Sequence, residues 1–493
     1  MDSLHHILFG FSVALTPMNL LYCLIGCLVG TLVGVLPGIG PAAAIALLLP
    51  STFRLDITGA IIMLAGIYYG AMYGGSTTSI LVNIPGETSS VMTCLDGYQM
   101  AKQGRAGAAL GIAAFGSLIA GTIATIFLTF LAPVLAEAAL KIGPPEYFTL
   151  LVMSLSLVIY LNRGPMLKGL VMCFLGLILG VIGSDPVTGK LRFVYDITVL
   201  RSGLGVVPVL MGLFGVTEVL SNIGSQEDQT IIDSKIKGLL PTRQDWKDSL
   251  PPIFRGTFLG FFLGILPGIG LSIPTYIDYG MEKRLSKRPE KFGTGIIEGV
   301  AGPEACNNAA AAGSFIPMLS LGIPPNATMA LFLGALILHG VQPGPLLVQN
   351  NPEIFWGLLA SMYIGNIILV VLNLPLIAMW VQVLKVPYAY LFPMILLFCL
   401  IGSFSLNNMV GDVGIMVIFG GLGYLFRYFG YEAPPLILAL VLGPILEDTF
   451  RQSLTIAGGS FAIFFQRPIS AIFLIATCLI LGSRLLRYLY SRK

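Results

Sequence analysis

Long apolar segments of about 20 residues recur from one end of this chain to the other, and each is long enough to cross a bilayer as an α-helix. Charged residues make up 10% of the 493 residues, where soluble domains carry about 25%, and 56% are apolar. The sequence therefore predicts an all-α polytopic membrane protein with about 10–12 transmembrane helices, and it excludes a soluble globular enzyme.

Glycine and proline are frequent for a chain of helices, with 59 glycines and 31 prolines. Many of the predicted helices must therefore be broken. A break leaves backbone N–H and C=O groups unpaired, which a membrane tolerates only where the break is buried in protein or lines a water-filled cavity. The breaks consequently indicate where function lies.

An internal repeat is visible at one of these breaks. Residues Gly30–Gly40 (GTLVGVLPGIG) recur as Gly260–Gly270 (GFFLGILPGIG), with seven of eleven positions identical at an offset of 230. Two weaker matches follow in the same order: Asn83–Gly86 with Gly322–Pro325, and Lys141–Pro144 with Lys385–Pro387. The pattern indicates a duplicated unit.

The repeat divides the chain. We predict a leading segment 1–16, a first repeat 17–222, a cytoplasmic linker 223–250, a second repeat 251–450, and a C-terminal segment 451–493 with a loop, a transmembrane helix and a basic cytoplasmic tail. The leading segment lacks the basic region and cleavage site of a secretory signal, so we expect it to remain in the mature protein.

Basic residues indicate that the two repeats are inverted. Five lysines and arginines lie in 281–291, whereas the equivalent loop in the first repeat, 51–56, has only Arg54. Because cytoplasmic loops are enriched in Lys and Arg, equivalent loops that differ in this way lie on opposite sides. The segments predicted to be cytoplasmic are 102–105, 163–168, 223–250, 281–291 and the C-terminal tail, while 185–201 is predicted to lie outside.

Residues 251–280 would then begin and end on one side, and thirty residues are too few for two crossings of about 20 each. We therefore predict a re-entrant or broken helical hairpin that turns at Leu266–Gly270. By inversion, Leu36–Gly40 turns a matching hairpin from the opposite side.

Polar side chains near the breaks are candidates for binding a substrate. Inverted repeats with broken helices are typical of secondary transporters, in which half-helix N-termini face anionic substrates. Neutral donors suit a carboxylate that must bind and then leave. The candidate substrate residues are Ser76, Thr77, Thr78, Asn83, Pro85, Gly86, Asn307, Asn308, Ser314, Pro324 and Asn326.

Unwound carbonyls and buried acids are candidates for holding a coupling cation, Na⁺ or H⁺. The candidate cation residues are Pro37, Gly38, Gly40, Pro267, Gly268, Gly270 and Glu304. Other acids flank breaks, namely Glu87, Asp96, Asp278 and Glu298. Helix packing by small and hydroxyl residues, and helix capping by the acids, are alternatives that the sequence leaves open.

Other kinds of site are not indicated. Seven cysteines have no paired spacing and three histidines are too few for a histidine-based centre, so we expect no cofactor, metal or disulfide, and His339 is more simply structural. Walker A, HExxH and GxSxG motifs are absent from the sequence. A net charge of +3 indicates no nucleic-acid partner.

Taken together, these motifs resemble the large membrane subunit of the tripartite tricarboxylate transporters, the TctA type. The resemblance rests on the two Leu-Pro-Gly-Ile-Gly turns, on Tyr68–Gly75 (YYGAMYGG), Asn83–Glu87 (NIPGE) followed by Leu95–Tyr98 (LDGY), Gly299–Asn308 (GVAGPEACNN) and Leu321–Pro324 (LGIP). One departure is the Pro325-Asn326 pair, where the family more usually has Gly-Ser.

The resemblance implies a bacterial inner-membrane importer, coupled to an ion gradient. It also implies a small four-helix membrane subunit and a periplasmic solute-binding protein that delivers a small carboxylate. Because proline removes an amide donor, the departure at Pro325 leaves the identity of the carboxylate open. A passive channel, and a membrane scaffold or enzyme without transport, are the alternatives to this function.

Overall fold

A computed structural model describes residues 2–36, 40–161, 164–185, 187–222, 236, 238–386 and 388–490. Of the predicted elements, Pro37, Gly38, Arg163 and half of the linker 223–250 lie outside the described residues. The described part is almost entirely helical, which confirms the predicted all-α membrane fold.

The described residues of the first half form ten α-helices. They are α1 (Asp2–Ala14), α2 (Pro17–Val35), α3 (Gly40–Leu48), α4 (Ile57–Val82), α5 (Val91–Lys102), α6 (Ala106–Ala139), α7 (Pro144–Leu161), α8 (Met166–Gly180), α9 (Val206–Leu210) and α10 (Thr217–Asn222). Short 3₁₀ turns lie at Leu49–Arg54, Thr88–Ser90 and Thr198–Leu200, and a π-helical segment, Met211–Val216, joins the last two helices.

Thirteen α-helices lie in the described part of the second half. They are α11 (Arg243–Gly264), α12 (Ser272–Leu285), α13 (Glu298–Gly313), α14 (Phe315–Leu321), α15 (Ala327–Leu338), α16 (Leu347–Asn350), α17 (Pro352–Asn373), α18 (Ile377–Val383), α19 (Tyr388–Asn407), α20 (Val410–Tyr428), α21 (Ala433–Ile456), α22 (Ile463–Gln466) and α23 (Pro468–Tyr490). A 3₁₀ turn lies at Pro289–Lys291.

The start of α11 differs from the sequence prediction. This helix begins at Arg243, inside the segment predicted as linker, because Thr242 caps it and Asp245 bonds back to the Thr242 backbone in a capping box. The only strands among the described residues are Gly183–Ser184 and Leu191–Arg192, which pair antiparallel with Gly183 opposite Arg192.

Eight helices in the described part of the chain are long and apolar enough to cross a membrane, and five shorter apolar helices accompany them. α4 is the most deeply buried of the eight, because 94% of its apolar window lies inside the protein. Helices α19 and α20 are mostly exposed, as expected for helices that face lipid. The exact number of spans remains a prediction.

Two pairs of helices pack in the same way in the two halves. On α2, Gly26, Gly30 and Gly34 press against the backbone of Met63, Ile67 and Ala71 on α4. On α11, Gly256, Gly260 and Gly264 press against Gly302, Cys306 and Ala310 on α13. The offsets are 230 for the glycines and 239 for their partners throughout. Small residues let helix backbones approach closely, so the duplicated glycines build the same contact twice.

Candidate functional site

The helix break after α4 and the break after α14 have the same backbone geometry. The residue that follows α4 is Asn83, and the residue that follows α14 is Gly322. Both have a left-handed backbone conformation, with φ of 62° and 67°. Asn and Gly are the residues that tolerate this conformation best. The next segments are capped by Glu87 and Asn326, each of which accepts a backbone N–H with its side chain. The predicted breaks at 83–86 and 322–326 are therefore confirmed.

Polar side chains from α4, α5, α13 and the turn at 88–90 meet beside the first of these breaks. We call this group the carboxylate cluster, and it consists of Ser76, Glu87, Ser89, Thr93, Glu304 and Asn307. All six side chains are buried. Glu304 and Asn307 lie three residues apart on α13, so both face the same neighbours.

Glu304 is bound by two hydroxyl groups of the first half. Ser76 Oγ donates to Glu304 Oε2 over 2.5 Å, and Thr93 Oγ1 donates to Glu304 Oε1. The carboxyl group is fully buried, with 0% of the residue exposed. Ser76 also donates to the Met72 carbonyl within α4, at 3.1 Å.

Glu87 is bound by an amide and a hydroxyl. Asn307 Nδ2 donates to Glu87 Oε1 over 3.1 Å, and the Ser89 backbone N–H donates to Oε2 over 3.0 Å. The Ser89 hydroxyl contacts both Glu87 Oε1 and Asn307 Oδ1. Glu87 therefore serves both as the cap of a helical turn and as a member of the cluster.

No lysine or arginine in the described ranges forms an ion pair with Glu87 or Glu304. Every atom bonded to the two carboxyl groups belongs to a hydroxyl, an amide or the backbone. Burying an ionised carboxylate is costly unless a positive charge or a proton accompanies it. The oxygen atoms of the cluster are of the kind that bind a proton or a hard cation, and the predicted cation role of Glu304 stays a prediction.

A second polar group joins α4 to the second break. Tyr68 Oη lies 3.2 Å from Ser314 Oγ, and Asn326 Nδ2 donates to Tyr68 Oη over 3.4 Å. Ser314 also donates to the Ala311 carbonyl over 2.7 Å. The structure therefore brings two of the predicted residues, Ser314 and Asn326, onto one tyrosine. Pro324, also predicted, is buried just before Asn326.

The turn at 266–270 contacts the second break directly. The Gly268 N–H donates to the Pro325 carbonyl over 2.8 Å. Gly268 and Gly270 have φ of 84° and 64°, so both require glycine's conformational freedom. Pro267 is half-buried between α11 and this contact. The predicted role of Pro267, Gly268 and Gly270 in holding a cation is not tested by these contacts and stays a prediction.

In the first half Gly86, the counterpart of Pro325, lies against Gly34, since a Cβ on Gly86 would overlap the Gly34 carbonyl. Gly40 has φ of 63° at the start of α3. The predicted cation residues Pro37 and Gly38 lie outside the described residues. In both halves the break therefore packs against the end of the preceding glycine-rich helix.

Other predicted substrate residues lie in different surroundings. Thr78 donates to the Val35 carbonyl over 2.7 Å and so completes the C-terminus of α2. Asn83 is exposed and Pro85 is half-buried. Asn308 Nδ2 donates to Ser117 Oγ on α6 over 2.6 Å and to the Glu304 carbonyl over 3.0 Å. The adjacent amides of Asn307 and Asn308 consequently face different partners.

Two small cavities flank this region. The first is lined by Tyr73, Ser76, Thr77, Ser117 and Asn373. The second is lined by Asn308 and by three residues from three other helices, Tyr69, Thr125 and Asn366. Tyr73 Oη and Asn373 Oδ1 are buried without a hydrogen-bond partner. Our sequence analysis missed Asn366 and Asn373. Two amides seven residues apart in an apolar helix share one face, which was the available signal.

The remaining acids have distinct roles. Asp96 accepts backbone N–H groups from Gly293, Gly295 and Ile296 at 2.8–3.1 Å, and the Tyr279 hydroxyl at 2.8 Å, so it fixes the segment before α13. Glu298 pairs with Arg288 at 2.8 Å. His339 Nε2 lies 3.2 Å from Thr52 Oγ1.

Across the part of the chain that the structure describes, no group of three or more His, Cys, Asp or Glu is placed to hold a metal ion.

Comparison with known proteins identifies a family whose model matches most of the chain. Residues 20–438 match the model of the tripartite tricarboxylate transporter TctA family. The chain is 49% identical over 471 residues to an uncharacterised 52.8 kDa protein in the TAR-I ttuC' 3' region of Agrobacterium vitis, covering 96% of this chain and 94% of that protein. It is 50% identical over 212 residues to an uncharacterised protein in the TAR-II ttuC' 3' region of the same organism, covering 43% and 88% respectively. No solved structure matches the chain.

Proposed function

Because this multi-pass membrane chain belongs to the TctA family of tripartite tricarboxylate transporters, and is thus a component of a transporter, we propose that it forms the translocation path for a small organic carboxylate whose import is driven by a cation gradient. The observation that carries this proposal is the carboxylate cluster. Its two buried acids come from the two halves of the chain and lie beside a helix break.

The charges of the cluster support coupling to a cation. An anionic substrate that approaches Glu87 and Glu304 is repelled while both are ionised, and no lysine or arginine among the described residues pairs with them to offset this charge. A proton or Na⁺ on the cluster removes that repulsion. The cation therefore binds first, and the carboxylate binds only to the neutralised site.

Neutral polar groups provide the contacts for the substrate. Asn308, Ser117 and Thr77 line the cavities beside the cluster, and Tyr73 and Asn373 each present a buried polar atom there. Hydroxyl and amide donors replace the hydration of a carboxylate without holding it as tightly as a fixed cation would. Ser314 and Asn326 extend this polar lining to the second break.

The duplicated helix contacts support a moving mechanism. The α2–α4 and α11–α13 pairs are built alike, and each carries a break at its end. We propose that the halves have inverted topology, so that one arrangement opens to each side of the membrane. In this proposal the chain lies in a bacterial inner membrane with a small four-helix subunit, and a periplasmic solute-binding protein delivers the carboxylate.

Uptake into proteoliposomes tests the proposal. The chain and a candidate small subunit are reconstituted. Accumulation of radiolabelled mono-, di- and tricarboxylates is then measured with and without a candidate periplasmic binding protein, under an imposed Na⁺ or H⁺ gradient. We expect accumulation of one carboxylate class that requires one of the gradients. Flux that equilibrates without any gradient would support a channel, and absence of uptake would refute a transport path in this chain.

The variant Glu304→Gln tests the role of the cluster. We expect gradient-driven accumulation to fall at least about tenfold, since a loss of one charge-assisted hydrogen bond is worth about 1.5–3 kcal/mol. Glu137→Gln is the matched control, because Glu137 is exposed and its Lys141 partner lies 3.9 Å away at the surface. Equal accumulation in wild type and Glu304→Gln would remove Glu304 from the cation site.

A further inference from the structure

Asp278 is a buried acid that the proposed function does not use. It lies on α12, none of its surface is exposed, and neither of its side-chain oxygens has a hydrogen-bond partner among the residues that the structure describes. This differs from Asp96, whose carboxylate accepts several N–H and O–H groups. A buried carboxylate without partners is strongly disfavoured in its ionised form, whereas a neutral carboxylic acid is tolerated there.

Two glycines form the space that Asp278 occupies. A Cβ on Gly302 of α13 would lie 2.5 Å from Asp278 Oδ2, and a Cβ on Gly256 of α11 would lie 3.2 Å from Oδ1. Asp278 therefore fills a notch where α12 packs on both helices. A side chain at either glycine would displace the carboxyl group.

The first half has no counterpart to this notch. Gly256 corresponds to Gly26 at the offset of 230, but Gly302 corresponds to Met63 at the offset of 239. The offset of 230 places Leu48 opposite Asp278. The helix backbones approach equally closely in both halves, but in the second half the absence of a side chain at Gly302 leaves space that the Asp278 carboxyl group fills. Close packing of the repeat does not require this change, because the first half packs without it.

The charged neighbours of Asp278 are few. On α11, Arg255 donates to Glu282 of α12 through two bonds, of 2.7 and 2.5 Å, and so is already engaged. On α13, Glu298 is paired with Arg288, and the Cys306 thiol is buried. On α5, Asp96 is bonded to Tyr279. Glu87 caps the turn at 88–90, and Lys283 and Arg284 are exposed on α12 itself. No described cation is bound to Asp278.

We propose that Asp278 is a proton-binding site, separate from the carboxylate cluster, whose protonation holds α12 docked on α11 and α13. A proton is the ligand that fits, because Na⁺ needs several oxygen ligands and only the two Asp278 oxygens are free here. Loss of the proton places an unpaired charge in the notch. α12 then moves outward, because Arg255 is held by Glu282 and does not neutralise Asp278.

Two measurements on the full chain in lipid nanodiscs test this proposal. Infrared difference spectra between acid and alkaline pH report protonated carboxyl groups. Distances between spin labels at Lys247→Cys on α11 and Gly280→Cys on α12 report docking, and both positions are exposed. The labels are placed in a background in which the exposed Cys478 is serine. Neither readout depends on transport, so failure here and failure of the proposed function are distinguishable.

In the wild type we expect a carboxyl band that disappears as pH rises, together with a second, longer label distance. Asp278→Asn should lose that band and keep the short distance at every pH, because a neutral side chain remains in the notch. Glu282→Gln frees Arg255 to neutralise Asp278, so the transition should move by about one pH unit toward acid. Asp96→Asn is the control that keeps the band.

Label distances that do not change with pH, or an infrared difference spectrum that Asp278→Asn leaves unchanged, would overturn the proposal, because the buried Glu87 and Glu304 contribute the same signal in both proteins. If Asp278→Asn does not fold, the direction of the shift in Glu282→Gln decides. A shift toward alkaline pH, or no shift, would also overturn it, since freeing Arg255 could then not be stabilising the ionised form of Asp278.

Discussion

The Asn307 side-chain amide lies 3.1 Å from Glu87 Oε1, so an amide of the second half binds the acid that caps the helix break of the first half. Ser89 bridges the same two side chains. The contact joins residues 220 positions apart in the sequence. If one half moves relative to the other, this contact must break unless both residues move together. The contact therefore lies where coupling between the halves is expected.

Replacing Asn307 by alanine should therefore impair transport. The variant leaves Glu87 with one donor fewer, at a cost of about 1–3 kcal/mol, and we expect uptake to fall at least about tenfold while the protein still inserts into the membrane. Ser320→Ala is the control, because Ser320 is buried and donates only to the Ala132 carbonyl, at 2.9 Å. Wild-type uptake by Asn307→Ala would remove this residue from the site.

The duplicated glycine contacts should be essential to stability in both halves. A Cβ on Gly30 would lie 2.5 Å from the Ile67 carbonyl oxygen, and one on Gly264 would lie 2.7 Å from Ala310 Cα. We expect each glycine-to-alanine change to destabilise the folded protein by about 1–3 kcal/mol, because helix backbones must separate. Thermal unfolding in detergent measures this effect.

Gly421→Ala is the matched control for these two variants. It lies in α20, and a Cβ there has no neighbour within 4 Å. Alanine also has the higher helix propensity, so this variant should unfold at the wild-type temperature or slightly above it. Unfolding temperatures for Gly30→Ala and Gly264→Ala that match the control would contradict the close packing.

The inverted arrangement can be tested by labelling. Lys287 follows α12 and is exposed, so a cysteine there is open to a membrane-impermeant maleimide. Six of the seven native cysteines are buried, and the exposed Cys478 is replaced by serine as the background. We expect Lys287→Cys to react only after the inner membrane is opened. Reaction in intact spheroplasts would reverse the predicted orientation.

The hairpin at 183–192 should lose stability at acid pH. Arg192 and Arg451 both pair with Asp185, and the Arg192 guanidinium in particular lowers the pKa of Asp185. A lowered pKa in the folded state means that this stabilisation is fully present above the ordinary value of about 4 and is lost as pH falls through the folded value.

Asp185→Asn removes this dependence. We expect the variant to be less stable than the wild type at neutral pH and equal to it at strongly acid pH, as measured by thermal unfolding or by proteolysis of the loop. Asp196→Asn in the same loop is the control, since no ion pair of the described residues involves it. A difference that persists at acid pH would show that the ion pairs are not the cause.

Much of the architecture followed from local features. The breaks were predicted from the repeated Leu-Pro-Gly-Ile-Gly turns and from the segments Asn83–Gly86 and Gly322–Pro325. Such a prediction is possible because glycine frees the backbone and proline restricts it wherever they occur. The start of α11 was missed, since the capping box of Thr242 and Asp245 lies in a stretch whose polarity indicated a linker.

The sequence by itself determined a membrane-embedded all-α chain, its duplicated helix breaks, and the polar character of the residues beside them. Only the tertiary structure decided which hydroxyls meet the acids. Ser76 binds Glu304, whereas Thr78 binds the Val35 carbonyl. Two residues along an α-helix turn by about 200°, so these neighbours face opposite helices. Composition cannot specify which face meets which neighbour, because that depends on how α4 is rotated against α2 and α13.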